Sequence, residues 1–458
     1  AGILSTPAAS CLIRKHGADG GIILSASHNP GGPDEDFGVK YNAANGAPAP
    51  ETLTREIAQQ SRSISQYRIA TLEDIDLNTI DSFKLENTRV EVVSAVEDYA
   101  KLMASLFDFD SISALFKDNA FKMRFDAMHA VNGEYATHIL QQRLGAEQGT
   151  VINAIPLTDF GGGHPDPNLI HAHELVELMR PGNGISFGAA SDGDGDRNMV
   201  LGEGFYVNPC DSLAVIAANA QLIPAFLDGL TGVARSMPTS RALDRVATAL
   251  GIECYETPTG WKYFGSLLDD GRIQLCGEES FGTGSNHVRE KDGLWAVLCW
   301  LNILAERKQT PEEILTAHWQ KYGRDYFTRH DYEALDSDKA KTLFADLQSK
   351  LPDLAGTSVC GNLIRKADNF SYVDPVDQSV TENQGVRILF DDGARIVLRL
   401  SGTGTQGATL RVYIDAFEQP DGTLDLDPQE ALKGLIDSAD EIAGIRRVTG
   451  RTRPDVVT

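Results

Sequence analysis

Short apolar runs and amphipathic stretches alternate along the first three hundred residues. The runs "GGIILSAS" (20–27), "FKMRFDAM" (121–128) and "GTVINAI" (149–155) predict buried strands. The stretches "VSAVEDYAKLMASLF", "DSLAVIAANAQLI" and "SRALDRVATALG" carry apolar residues at helical spacing. The last follows "PTS", a cap signal, and ends at Gly251. The longest apolar stretch, Leu294 to Ala305, is too short to span a bilayer and predicts a buried helix. This alternation predicts α/β layers with largely parallel sheets. Beyond "QKYGRDYFTRHDYEAL" the pattern changes: "GVRILFDDGARIVLRLSG" and "TLRVYIDAF" predict strands, with a hairpin signal at Asp391-Asp392-Gly393. The C-terminal part therefore reads as a separate α+β domain with an antiparallel sheet.

The chain has 458 residues, which suggests roughly three domains, with two to four all compatible. With 65 acidic against 41 basic residues its net charge is −24, which disfavours nucleic acid and anionic membranes as partners. An anionic substrate must then be held by local cations, backbone amides and metal. Six cysteines (Cys11, Cys210, Cys254, Cys276, Cys299, Cys360) without CxxC spacing predict free thiols in a reducing compartment, and so a cytoplasmic location.

Four loops carry candidate chemistry. "SASHNPGG" follows an apolar strand and presents Ser27 at its carboxyl end, where α/β sheets place ligands, although the same residues also suit an ordinary turn. Lys40, in "FGVKYN", is a candidate acid–base partner or a surface lysine. In "SDGDGDRN", Asp192, Asp194 and Asp196 alternate with glycines, so on an extended segment three carboxylates converge and require a cation. Oxygen-only ligands select a hard ion, Mg²⁺ or Ca²⁺. The spacing to Glu203 fits an EF-hand by count, but Arg197 stands where that loop needs glycine, and the flanks read as strands. Open ligand positions then point to catalytic Mg²⁺. In "CGEESFGTGSNHVREKDG", Glu278 and Ser280 are two apart and suit adjacent sugar hydroxyls, with His287, Arg289 and Lys291 nearby; a solvated charge run is the alternative. In "RLSGTGTQGATLR", Ser401, Thr403 and Thr405 alternate with Gly402 and Gly404 between Arg399 and Arg411, which suits an anion nest and is not a Walker loop. A hydroxyl, a metal loop, a polyol contact and a phosphate nest together indicate phosphoryl transfer on a sugar phosphate.

These loops, with "PTGWK", "HPDPNL" and the closing "TGRTRP", resemble the ordered motifs of the phosphoglucomutases in the α-D-phosphohexomutase superfamily. The resemblance spans essentially the whole chain. It implies four domains around a central cleft, three related mixed α/β units and a smaller α+β phosphate-binding domain, here 1–92, 93–208, 209–306 and 307–458. It implies reversible conversion of α-D-glucose 1-phosphate and glucose 6-phosphate through a phosphoserine and glucose 1,6-bisphosphate. Carried over by motif, Ser27 is the phosphorylated residue. Asp192, Asp194 and Asp196 bind Mg²⁺ with a phosphoryl oxygen on Ser27. His28 and Arg197 lie at the transferring phosphate, and Lys40 is the general acid/base. Thr259, Gly260, Glu278 and Ser280 contact the sugar, with His287 and Lys291 near the substrate. Arg399, Ser401, Gly402, Thr403, Thr405 and Arg411 hold the other phosphate.

"GEES" matches the glucose enzymes, and a phosphomannomutase, a dual-specificity hexomutase or a non-enzymatic scaffold relative are the alternatives. The expected partners are sugar phosphates, with a monomer or weak homo-oligomer as the assembly. Two departures from the family pattern, Ser191 for a usual phenylalanine and Ala130 for a usual glycine, are expected to touch no site residue. The family has an upstream segment with an Arg-containing loop completing the first domain. The chain opens at "AGILSTPAAS", so the expectation is a first domain with an open sheet and impaired chemistry.

Overall fold

The computed structural model describes residues 3–69, 71, 74–404 and 407–458. The chain divides into two compact units, Ala1–Gly232 with Phe264–Glu312, and Val233–Tyr263 with Glu313–Thr458.

In the first unit a five-stranded sheet runs in the order Val151–Ile152, Met123–Asp126, Phe187–Ser191, Asn198–Gly202, Phe205–Val207. The first three strands are parallel and the last two antiparallel, so the expectation of largely parallel sheets holds for only half of it. The strands on either side of the aspartate loop are buried at every position, as their unbroken apolar and small residues dictate. Against them packs the helix Gly293–Arg307, buried from Gly293 through Leu304, as the apolar run predicted. Asp292 caps it, accepting from Trp295 N at 3.1 Å. Each large apolar side chain it buries contributes roughly 1.5–3 kcal/mol. No described helix is long and apolar enough to cross a membrane.

The strand Gly20–Leu24 corrects a second expectation. It forms a two-stranded antiparallel sheet with Val39–Ala43, and its Ile23 is buried while Ile22 and Leu24 are 72% and 67% exposed. Among the described residues no layer covers that face. The register pairs Ile23 with Lys40, which puts Lys40 and Asn42 on the buried side.

In the second unit a seven-stranded sheet, antiparallel throughout, runs in the order Ser358–Val359, Asn362–Asn369, Val386–Phe390, Arg395–Gly404, Gly407–Glu418, Arg324–Leu335, Val456–Val457. The Asp391-Asp392-Gly393 hairpin forms as predicted, with Gly393 at φ 88°. Ile396, Leu398, Leu410, Val412 and Ile414 fill one core with the helices Ser337–Leu354 and Lys433–Ala443. Period-2 alternation turns Arg395, Arg399, Ser401 and Arg411 to the opposite face. There Arg395 is 2% exposed and donates to Asp415 at 2.7 Å and to the Met237 and Thr239 carbonyls at 2.7 Å each. The helix Ala242–Leu250 ends at Gly251 as expected, but its cap position is Arg241, without a side-chain cap, and Ser240 Oγ only reaches Ala242 N at 3.4 Å.

Candidate active site

The three aspartates converge, though not by the extended geometry that their spacing suggested. The loop turns tightly between two antiparallel strands, with Gly195 at φ 80°. Asp192 Oδ1 accepts from the backbone of Asp196 and Arg197 at 2.8 and 3.0 Å, which curls the chain and brings one oxygen from each carboxylate within 4.8 Å of the others. All three residues are at most 2% exposed. Asp192 Oδ2 and Asp194 Oδ1 are buried without a hydrogen-bond donor. Buried carboxylate oxygens facing one another and lacking donors are a donor set for a hard divalent cation. Strands rather than helices flank the loop, and Glu203 accepts from Gly182 N at 2.8 Å, so the arrangement is not an EF-hand.

Cations surround this cluster. Lys40 Nζ donates to Asp194 Oδ2 and lies 3.8 Å from Asp196 Oδ2. Lys291 Nζ lies 3.0 Å from Asp196 Oδ1. Arg197 lies 3.7 Å from Asp192 Oδ2 and donates to Asp166 at 3.4 Å. Burial, reinforced by Asp196 and Asp194, pushes the Asp192 carboxyl well up. Burial acts the same way on Asp196, but Lys291, Lys40 and Arg197 outweigh it and hold its pKa at about 2. Burial pushes the Lys40 ammonium down, yet Asp194 and Asp196 more than offset this and hold its proton above the ordinary lysine range. His28 is pushed down to about 2 by burial and by Arg197, so its imidazole is neutral at physiological pH.

Ser27 sits against this loop. Its φ of 60° is a conformation that non-glycine residues seldom adopt, and Ser25 Oγ accepts from its backbone N at 2.9 Å. His28 Nδ1 lies 3.4 Å from Ser27 Oγ. A Cβ placed on Gly193 would fall 2.2 Å from the Ser27 carbonyl oxygen, so glycine is what lets the serine loop and the metal loop touch. Ser27, Gly193 and Asp194 share the wall of a cavity of about 420 Å³.

Glu278 and Ser280 belong to the hairpin of strands Leu275–Glu278 and Gly282–Ser285, with Glu278 at the strand end and Ser280 in the turn. That hairpin is tied to the metal loop's outgoing strand: Phe281 O accepts from Asn198 N at 2.9 Å and from Asn198 Nδ2 at 3.0 Å. His287 is elsewhere in character. Its side chain is 1% exposed, stacks on Trp295 at 5.0 Å, and lies 3.0 Å from Asp292, whose other oxygen accepts from Tyr99 OH at 2.6 Å.

In the second unit, Arg399 and Arg411 are direct cross-strand partners, and Ser401 pairs with Thr409 two residues along. Two guanidinium groups directly opposite repel, which makes the strand pair a receptor for an anion. Arg399 Nη1 lies 3.4 Å from Tyr413 OH, and Arg411 Nε lies 3.7 Å from Asp331. Gly402 and Thr403 continue the Arg395–Gly404 strand; Thr405 lies outside the described residues. Thr259 Oγ1 is buried without a hydrogen-bond partner, and Gly260 follows at φ 122°.

Sequence reasoning missed four groups at the first unit's site. Thr6 Oγ1 donates to Asp194 Oδ2 at 2.6 Å. Asn42 Nδ2 donates to Glu290 Oε1 at 2.8 Å, and burial lifts that carboxyl to about 8. Ser191 was expected to touch no site residue, but its Oγ donates to the Arg197 carbonyl at 2.9 Å. Asn132 holds Ser191 in turn. Only Asn42 had a local signal, two residues from Lys40 on one strand face.

Comparison with known proteins matches the chain to four successive family descriptions. These are the phosphoglucomutase/phosphomannomutase alpha/beta/alpha domains I, II and III over residues 1–68, 97–204 and 209–322, and the phosphoglucomutase-1 C-terminal domain over 324–455. A phosphoglucomutase of Rhizobium radiobacter is 60% identical over 458 residues, covering all of this chain and 84% of its own. Human phosphoglucomutase-1 is 54% identical over 472 residues, again 100% of this chain and 84% of its own. The open form of Paramecium pp63/parafusin, an exocytosis-sensitive phosphoprotein also described as a phosphoglucomutase, superposes with a TM-score of 0.91 at 50% identity, covering 100% and 84%.

Proposed function

The chain belongs to the phosphoglucomutase family, enzymes that interconvert α-D-glucose 1-phosphate and glucose 6-phosphate, and we propose from this how its own residues carry that reaction. Ser27 is the phosphoryl carrier. In the first half-reaction the Ser27 Oγ–P bond breaks as a P–O bond forms to the free sugar hydroxyl. The product is glucose 1,6-bisphosphate, and the other phosphate later returns to Ser27. Asp192, Asp194 and Asp196 hold Mg²⁺, which when bound neutralises charge on the transferring phosphoryl group.

Lys40 enters charged, since Asp194 and Asp196 hold its proton, and it gives that proton to Ser27 Oγ as the phosphoryl leaves, while the proton of the attacking hydroxyl passes to an oxygen of the transferred phosphoryl group. The return step reverses both moves, and Lys40 takes its proton back. Arg197 places a guanidinium at the transferring group, and neutral His28 accepts or donates a hydrogen bond there without adding charge. Glu278, Ser280, Thr259 and Gly260 orient the sugar, and Lys291 adds charge beside Asp196. His287 acts through Asp292, which follows Lys291 in the loop leading into the helix Gly293–Arg307. Arg399, Ser401, Gly402, Thr403, Thr405 and Arg411 bind the phosphate that is not reacting.

The observation that supports the reading is the close approach of the Ser27 backbone to Gly193, with Ser27, Gly193 and Asp194 lining one cavity. Domain boundaries near 92, 208 and 306, a monomer or weak homo-oligomer, and a cytoplasmic location belong to the same proposal. Its test is a coupled glucose 6-phosphate assay with Mg²⁺ and the bisphosphate activator. Ser27→Ala abolishes turnover in a folded protein; substantial residual activity removes Ser27 as carrier.

A further inference from the structure

Beneath the three aspartates lies a buried polar pair that the reaction cycle does not use. Asn132, at the start of the helix Asn132–Ala136, is 2% exposed. Its Nδ2 donates to Ser191 Oγ at 2.7 Å and to the Gly195 carbonyl at 3.2 Å. Ser191 ends the strand that enters the metal loop, is fully buried, and donates from Oγ to the Arg197 carbonyl at 2.9 Å. The two carbonyls that flank Asp196 in sequence are thus each held by one member of the pair, and the two members hold each other. There is little slack: a Cβ on Gly195 would fall 2.6 Å from Asn132 Oδ1, and one on Gly293 would fall 2.8 Å from Ser191 Oγ. The two Asn132 contacts span 59 and 63 residues and the Ser191 contact spans six, and Gly293 N also donates to the Gly195 carbonyl at 3.2 Å.

We propose that Asn132 and Ser191 are positioning residues for the metal. They fix the Gly195–Arg197 turn, aim Asp194 and Asp196 toward Asp192 before a cation arrives, and so set the affinity of the loop for a divalent ion. The inference rests on the reading that the aspartate triad holds that ion. Three like charges oppose convergence, and a loop free to relax would splay them. Without Ser191 Oγ, the Arg197 carbonyl and an Asn132 N–H lose their buried partner and can regain one only if the turn moves.

The test is Mn²⁺ binding to the purified protein by titration calorimetry, beside circular dichroism and a melting curve. Ser191→Ala and Asn132→Ala each weaken Mn²⁺ binding roughly five- to twentyfold. The double variant is weakened no more than about twofold beyond the worse single, because both act through one chain of bonds. Saturating metal restores most of kcat in either single variant. As a control, Ser438→Ala removes a buried serine of the helix Lys433–Ala443 and lowers the melting temperature while leaving Mn²⁺ affinity unchanged. Folded Ser191→Ala protein that binds Mn²⁺ within twofold of wild type overturns the proposal. If that variant does not fold, Asn132→Ala decides by the same criterion. Asp194→Asn separates the two levels: if it binds Mn²⁺ as wild type does, the triad reading itself fails.

Discussion

Replacing Gly193 with alanine tests the junction of the serine and metal loops. Gly193 has no positive φ, so an alanine meets no backbone strain, and the effect isolates the new methyl group. That methyl would lie 2.2 Å from the Ser27 carbonyl oxygen, where ordinary contact needs roughly 3.2 Å. Pro165 Cγ and Phe160 Cζ would lie 3.2 and 3.4 Å from the same methyl, which adds to the crowding. The two loops must part by about 1 Å. Overpacking of this kind costs about 1–3 kcal/mol of stability. A displacement of about 1 Å at reacting groups costs on the order of 100-fold in rate. The expected signature is therefore lopsided: a modest drop in melting temperature with kcat/KM down about a hundredfold in the coupled assay. Gly251→Ala supplies the opposite control. Gly251 ends a helix at φ 70° with nothing within 4 Å of a Cβ, so it should lose about 1 kcal/mol of stability and keep full activity. A Gly193→Ala enzyme within threefold of wild-type kcat/KM would refute the reasoning.

Three further outcomes follow from the same geometry. Glu290 titrates at about 8 in the fold against an ordinary 4.5, so the folded chain binds the extra proton and stability falls as pH rises from about 4.5 to 8. Glu290→Gln keeps the acceptor for Asn42 and should flatten that slope, worth at most about 5 kcal/mol, in urea melts at pH 5, 6.5 and 8; equal slopes in both proteins contradict the assignment. Arg395→Met takes from the buried Asp415 its 2.7 Å partner, leaving Arg241 at 3.7 Å, and should cost about 3–5 kcal/mol, part of it recovered by adding Asp415→Leu, as chemical denaturation would show. Arg411→Ala should raise KM for both sugar phosphates more than it lowers kcat, because the phosphate bound there does not react in either half-reaction and so supports ground and transition states alike.

How much of this was legible in the chain depends on how local each cause is. The Asp391–Gly393 hairpin and the helix Gly293–Arg307 were readable, because turn chemistry and an unbroken apolar run act over a few residues. The aspartate triad was legible as a cation site even though the route differed: carboxylates two apart meet through a turn capped by Asp192 Oδ1, not along an extended strand. The strand Gly20–Leu24 misled, since an apolar run reports what could be buried and not whether a layer lies over it. His287 read as one of three cations in a charged run; its stack on Trp295 and its bond to Asp292 come from the turn into the following helix. Thr6 and Asn132 were invisible because their partners lie 188 and 59 residues away, and no spacing rule reaches that far.

The central claim is that Ser27 carries the phosphoryl group. Incubation of the protein with glucose 1,6-bisphosphate labelled on phosphorus, followed by peptide mapping, reads it directly. The account predicts label on the peptide containing Ser27 and its quantitative transfer to added glucose 1-phosphate. Label absent from that peptide in turning-over enzyme, or stable label that no sugar phosphate removes, would contradict it.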